Sequence, residues 1–113
     1  MGNFTIKDGQ DGQFYFNLKS ENGEVILQSQ GYTTKASCNN GIQSVRLNSK
    51  FDARYVRKIS LQGNHYFILI AANYETIGKS QMYSTKYSME IGIRSVKSIA
   101  PFASIIDLTV ARF

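Results

Sequence analysis

The sequence predicts an α+β fold built on an antiparallel sheet. Three observations carry that prediction. The chain repeats itself at a spacing of 51 residues, as Gly12/Gly63 and Val45/Val96 show. Each copy contains apolar residues at strand period flanking a turn. Each copy then changes to helical period.

The duplication comes first because everything else is read twice. Residues 12–46 fall on residues 63–97 without a gap, and 17 of the 35 positions are identical. They include Tyr15/Tyr66, Phe16/Phe67, Leu18/Leu69, Asn22/Asn73, Glu24/Glu75, Tyr32/Tyr83, Ser37/Ser88, Gly41/Gly92 and Ser44/Ser95. Two copies are too few for an open array, so a pseudo-symmetric pair sharing one core is expected. The 113 residues are accordingly read as a single domain of two repeats, 3–53 and 54–113.

Phe4-Thr5-Ile6-Lys7 reads as an opening strand. Phe14, Phe16 and Leu18 alternate with Tyr15, Asn17 and Lys19, which predicts a strand with one buried face. Asn22-Gly23 then signals a hairpin turn in which both residues take positive φ, with Val25–Gln28 as the return strand. The second copy has Asn73-Tyr74 at that turn. A tyrosine tolerates positive φ poorly, so a looser turn is expected there. Thr33 and its counterpart Ser84 offer themselves as helix N-caps. Ala36, Cys38, Ile42, Val45 and Ser49 then form an apolar stripe, matched by Met89, Ile93, Val96 and Ala100. Gly41 and Gly92 sit inside these helices at a cost of up to about 1 kcal/mol each. Their repetition predicts a close approach of helix to sheet. Pro101 ends the second helix near Ala100. Residues 54–59 read as a strand between the copies, and residues 105–109 as a closing one.

Several of these segments resemble the YegP-like family of uncharacterised bacterial tandem-repeat proteins. The matching pieces are Phe16-Asn17-Leu18-Lys19, Asn22-Gly23-Glu24-Val25-Ile26, Ser29-Gln30-Gly31-Tyr32 and Asn40-Gly41-Ile42-Gln43-Ser44-Val45. The second copy supplies Ser80-Gln81-Met82-Tyr83 and Gly92-Ile93-Arg94-Ser95-Val96, and Asp107-Leu108-Thr109 follows. The resemblance implies two tandem β(3)-α-β units in one antiparallel sheet, with helices packed on it and the last strand of each unit exchanged onto the other. It brings no activity, substrate or catalytic residue. The chain departs from the family pattern at Tyr74 and His65.

Composition excludes several classes. With 42% hydrophobic and 19% charged residues, the chain has the makings of a folded core. No apolar run approaches the ~20 residues of a membrane span. The start, Met1-Gly2-Asn3-Phe4-Thr5-Ile6, lacks the pattern of a secretory signal or a myristoylation site. A cytoplasmic, monomeric protein is expected, the duplication supplying the contact of a pseudo-dimer. Cys38 is the only cysteine and aligns with Met89, so an inert buried thiol is expected. His65 is the only histidine and takes the place of Phe14, which suggests a half-buried structural residue. Walker and dinucleotide patterns are absent. Catalysis, a metal and a cofactor are therefore not expected.

Two features suggest binding. Thirteen Lys and Arg against eight Asp and Glu give a net charge of +5. Residues 46–58 hold +4 of it through Arg46, Lys50, Arg54, Arg57 and Lys58 against Asp52. A local basic patch is what phosphate binding uses. The plainer reading is that cations suit a helix C-terminus and protect strand edges. Second, Tyr15 and Lys19 point to the sheet face opposite Phe16, as Tyr66 does beside Ile68 and Ile70. Aromatic residues beside basic ones can stack single-stranded bases. Cross-strand tyrosine packing is the plainer reading. Ser29-Gln30 and Ser80-Gln81 recur as well, either as two ligand sites or as loop hydrogen bonding. The expected function is a small non-enzymatic binding module. Nucleic acid is the most concrete partner, through Arg46, Lys50, Arg54, Arg57 and Lys58 with Tyr15, Lys19 and Tyr66. The alternative is a structural or stress-related accessory protein that binds another protein, and an enzyme of unknown reaction is a minor one.

Overall fold

The computed structural model describes residues 1–110, so residues 111–113 of the expected second repeat lie outside it. The chain runs β1 (Asn3–Asp8), β2 (Phe14–Lys19), β3 (Val25–Gln28), α1 (Lys35–Asn48), β4 (Tyr55–Ile59), β5 (His65–Ile70), β6 (Thr76–Lys79), α2 (Lys86–Ile99) and β7 (Ser104–Asp107). All seven strands form one sheet in the order β4-β5-β6-β3-β2-β1-β7. The two halves meet at β3 and β6, registered through Gln28 and Lys79.

One terminal strand crosses between the repeats, not one from each as expected. β4 opens the second repeat and pairs within it with β5, Tyr55 opposite Leu69, just as β1 pairs with β2. β7 follows α2 yet pairs with β1 of the first, Asn3 opposite Ser104. The β1–β7 pair is parallel, and every other pair is antiparallel. The sheet is thus mixed at one edge, because the chain leaves α2 and enters β7 in the direction of β1.

The helices lie on one face, where α1 contacts β2, β5 and β6, and α2 contacts β5 and β3. Each helix therefore bridges the two repeats. Phe4, Phe16, Leu18, Leu27, Phe67 and Leu69 of the sheet pack with Cys38, Ile42, Val45, Met89, Ile93 and Val96 of the helices, all at most 1% exposed. Leu27 stands opposite Leu18 and shares its face, and the register shift between Leu18 and Lys19 skips Ile26, so that adjacent Ile26 and Leu27 are both buried.

Several expectations are corrected. The N-caps are Thr34 and Thr85, not Thr33 and Ser84; their hydroxyls accept from the Ser37 and Ser88 N–H groups at 3.0 Å. Ala36 is exposed, because it falls one residue outside the buried stripe of Cys38, Ile42 and Val45. At the first hairpin only Gly23 has positive φ, so the two-residue form with two left-handed positions is not adopted. The second hairpin is not looser: Tyr74 takes φ +71°, and its N–H reaches the Ala71 carbonyl at 2.9 Å. The Gly23 N–H makes the same bond to Ser20. The helix glycines face a loop tyrosine first. A Cβ on Gly41 would overlap the Tyr32 hydroxyl, and one on Gly92 the Tyr83 hydroxyl; the Phe16 ring of the sheet is the next neighbour of Gly41.

Candidate functional site: two repeat-related clefts

The loop before each helix is fixed by the sheet. Tyr32 exchanges backbone hydrogen bonds with Phe14 at 2.7 and 2.8 Å, and Tyr83 does so with His65 at 2.8 Å. Ser29 Oγ accepts from the Phe16 N–H and donates to the Gln30 carbonyl, both at 2.8 Å. Ser80 repeats this with Phe67 and Gln81. The recurring serines are thus structural, and they hold each tyrosine across its helix glycine.

Each tyrosine ring then faces the hairpin turn of the other repeat. The larger cleft, about 580 Å³, lies between Tyr83, Ser88, Gly92 and Ser95 of the second repeat and Asn22, Glu24 and Ile26 of the first. The smaller, about 310 Å³, lies between Tyr32, Ser37, Gly41 and Ser44 of the first repeat and Asn73, Glu75 and Ile77 of the second. These seven residues correspond pairwise at the 51-residue spacing and are identical in type. Gln81 Nε2 donates to Glu24 Oε1 at 2.5 Å, tying the second repeat to the rim of the larger cleft. Burial, then Cys38 and the Glu75 carboxylate, raise the Tyr32 hydroxyl pKa. Tyr32 therefore stays protonated and able to donate. The clefts differ where the repeats differ. Ile91 and Ile99 line the larger, while Asn40 and Ala71 line the smaller.

This lining offers hydroxyl and amide donors and acceptors, an exposed carboxylate and an isoleucine floor. It suits a neutral or cationic polar group with an apolar portion, since a glutamate at the rim opposes an anion. The residues involved were visible in the sequence only as identities. Each cleft takes its walls from different repeats, and residues as far apart as Asn22 and Tyr83, or Tyr32 and Asn73, share no local pattern.

The basic residues of the connector are largely engaged. Arg46 Nη2 donates to the Ala103 carbonyl at 2.5 Å, and its guanidinium lies 5.5 Å from the Phe4 ring centroid. Arg54 Nε donates to Asn48 Oδ1 at 3.0 Å and its guanidinium lies over Phe51. Arg57 pairs with Glu90 at 2.6 Å and with Asp52 at 3.0 Å, which pushes its pKa up. Lys97 also reaches Asp52, at 2.9 Å. Lys97 and then Arg57 hold the Asp52 carboxyl down to about 2. Lys50 and Lys58 are exposed, and neither has an ion pair among the described residues.

On the face away from the helices, Lys58 stands opposite Tyr66 in the β4–β5 register. Lys79 Nζ lies 5.2 Å from the Tyr66 ring centroid. In the other half, Tyr15 donates to Asp11 at 2.5 Å, and Lys19 is half-buried beside Val25. The structure brings Lys58, Tyr66 and Lys79 together and leaves Tyr15, Lys19 and Lys50 apart from them. Cys38 is buried, and burial pushes its thiol up to about 11. His65 is half-buried. Among the described residues no group of three or more His, Cys, Asp or Glu is placed to hold a metal. No helix among them is long and apolar enough to cross a membrane.

Comparison with known proteins agrees with this architecture. The family model described as "Domain of unknown function (DUF1508)" matches twice, at residues 10–55 and 61–107. The UPF0339 protein of Acinetobacter baylyi is 47% identical over 108 residues, 96% of this chain and 97% of that one. The UPF0339 protein YegP of Escherichia coli K12 is 47% identical over 108 residues, 96% and 98% of the two chains. The solution NMR structure of yegP from E. coli superposes with a TM-score of 0.93 at 46% identity, covering 98% of this chain and 96% of that one. That of a UPF0339 protein from Shewanella oneidensis gives 0.91 at 44%, covering 96% and 92%.

Proposed function

This chain belongs to the DUF1508 family, as a fused pair of its domains, and we propose that it is a non-enzymatic binding module whose ligand sites are the two inter-repeat clefts. The observation that carries this reading is the identity of the seven cleft residues in the two copies. Core packing does not call for it, since Ser37, Ser44, Asn22 and Glu24 are not core residues; Ser37 and Asn22 also serve the local cap and turn. The ligand class is a polar, uncharged or cationic group that hydrogen-bonds Tyr83 and Ser88 while covering Ile26. The module acts as a monomer, since each cleft already has both walls in one chain.

The test is an NMR titration of the ¹⁵N-labelled chain with nucleosides, amino-acid amides, sugars and guanidinium. Each is added at about 5 mM, enough to reveal a Kd near 1 mM. The proposal expects at least one probe to shift the amides of Gly92 and Ser95, with weaker shifts at Gly41 and Ser44. Shifts that gather elsewhere for every probe that binds, or no shifts at all, reject it.

A second reading, single-stranded nucleic acid, is favoured by the Lys58–Tyr66–Lys79 cluster on the open sheet face. Arg46, Arg54 and Arg57 contribute less to it than their number suggests, because each already has a protein partner. Anisotropy titration with labelled oligonucleotides separates the readings. Nonspecific contacts alone usually reach about 10⁻⁴ M or tighter. Binding weaker than that at low salt rejects nucleic acid, and so does binding unchanged by Lys58→Ala with Lys79→Ala.

A further inference from the structure

The sheet is not symmetric at its edges. β1 and β4 are repeat counterparts with the same register against β2 and β5: Phe4 faces Leu18, and Tyr55 faces Leu69. Outside β1 lies β7, running parallel. Outside β4 no strand lies among the described residues. The Ile6 carbonyl accepts from the Leu108 N–H at 2.8 Å, so residues 4, 6 and 8 aim their backbone groups outward. The matching outward residues of β4 are Tyr55, Arg57 and Ile59, and Ile59 is 66% exposed.

The side chains around the two edges correspond as well. At the occupied edge, Lys35 at the start of α1 binds Asp107 of β7 at 2.9 Å. Its counterpart at the start of α2 is Lys86, exposed and without an ion pair among the described residues. A cavity of about 230 Å³ opens beside it, lined by Lys86, Arg57, Lys58, Ile59, His65 and Met89. Where the first repeat has Ile6 and Phe14, this site has Arg57 and His65. Glu90 nearby is bound by Arg57 at 2.6 Å and also feels the Lys86 charge, but Lys58 and Lys86 keep no ion pair of their own among the described residues.

We propose that the outer edge of β4 is a docking site for an extended segment of another protein, running parallel to β4, with two apolar residues followed by an acidic one that pairs with Lys86. The recognition chemistry is that of Ser104-Ile105-Ile106-Asp107 on β1. Backbone bonds to Arg57 supply affinity, and the carboxylate on Lys86 supplies specificity. A second copy of this chain is a poor occupant. Its own β7 is already paired, and two β4 edges side by side would oppose Lys58 with its like. Lys58 and Lys86 attract an acidic strand. This site is separate from the clefts and stands or falls independently of them.

The probe is a blocked synthetic peptide with the sequence of residues 103–110, titrated to about 1 mM into the full-length ¹⁵N-labelled chain. The expected result is saturable shifts at residues 55–59 and Lys86. Lys86→Glu is expected to weaken binding at least about five-fold, as is Lys for Asp in the peptide, in line with one charge-assisted contact. Lys86 is exposed at the first turn of α2, where Glu is tolerated, so the variant folds. Absence of shifts overturns the proposal. So do shifts confined to β1 and β7, shifts confined to the clefts, binding indifferent to Lys86→Glu, or a chain that dimerises through β4 without peptide.

Discussion

The Tyr83 hydroxyl fills the space that a Cβ on Gly92 would require, and Tyr32 stands in the same relation to Gly41. This contact explains why a helix-weakening residue occupies the middle of both helices. Gly92→Ala gains up to about 1 kcal/mol of helix propensity. It also drives the tyrosine ring away, and overpacking of this kind costs about 1–3 kcal/mol. The expected net result is destabilisation by about 1 kcal/mol in urea unfolding. In a Tyr83→Ala background the same change is expected to be neutral or stabilising, because the clash is gone.

Tyr74 holds φ +71° with its side chain 82% exposed. A left-handed conformation costs a non-glycine residue about 1–2 kcal/mol. Against this stands the greater freedom of glycine in the unfolded chain. Tyr74→Gly is therefore expected to stabilise by about 0.5–1 kcal/mol, read as a higher urea midpoint with an unchanged slope.

Capping separates two neighbouring threonines. Thr34 accepts the Ser37 N–H at 3.0 Å, while Thr33 is exposed and makes no such bond among the described residues. Thr34→Ala is expected to cost about 1 kcal/mol. Thr33→Ala should stay within about 0.5 kcal/mol. Thermal melts of the two variants measure the difference.

These residues also mark what the sequence made legible. The duplication, the buried alternation of Phe14, Phe16 and Leu18, and both helices were readable because each has a local period. The family resemblance implies an exchange of both terminal strands; only β7 crosses, onto β1, and no local pattern encodes that. The N-cap was misplaced by one residue because Thr33 and Thr34 are chemically alike and only backbone direction tells them apart. The second turn is not legible from local preference, because the hairpin imposes the geometry that Asn73-Tyr74 disfavours. The binding features are the least legible. Arg46, Arg54 and Arg57 looked like a free patch, yet their partners Ala103, Asn48 and Glu90 lie up to 57 residues away. The clefts were hidden for the same reason, since each joins a turn and a helix from different repeats.

Acid should loosen the molecule at two defined places. The Asp52 carboxyl is held down to about 2 by Lys97 and Arg57. The Asp107 carboxyl is held down to about 2 by the Thr109 hydroxyl and N–H, and then by Lys35. Both folded values lie below the ordinary aspartate value of about 3.9. The stability they contribute is complete above about pH 4 and is lost as pH falls through about 2. Melting temperature is expected to fall across that window at low salt. In Asp52→Asn the fall should be shallower, and the difference small, because Asp52 is exposed and its pairs are screened.

Two repeat-related clefts of different size stand between the repeats as the proposed ligand sites. The most direct measurement of them is a paired NMR titration of the native chain and the Ser88→Trp variant with one cleft-binding probe. In the native chain, shifts are expected at Gly92 and Ser95 and, more weakly, at Gly41 and Ser44. In the variant, whose indole fills the larger cleft, the first pair should fall silent while the second persists. Shifts at Gly92 and Ser95 that survive Ser88→Trp, or shifts that never reach either cleft, would contradict the account.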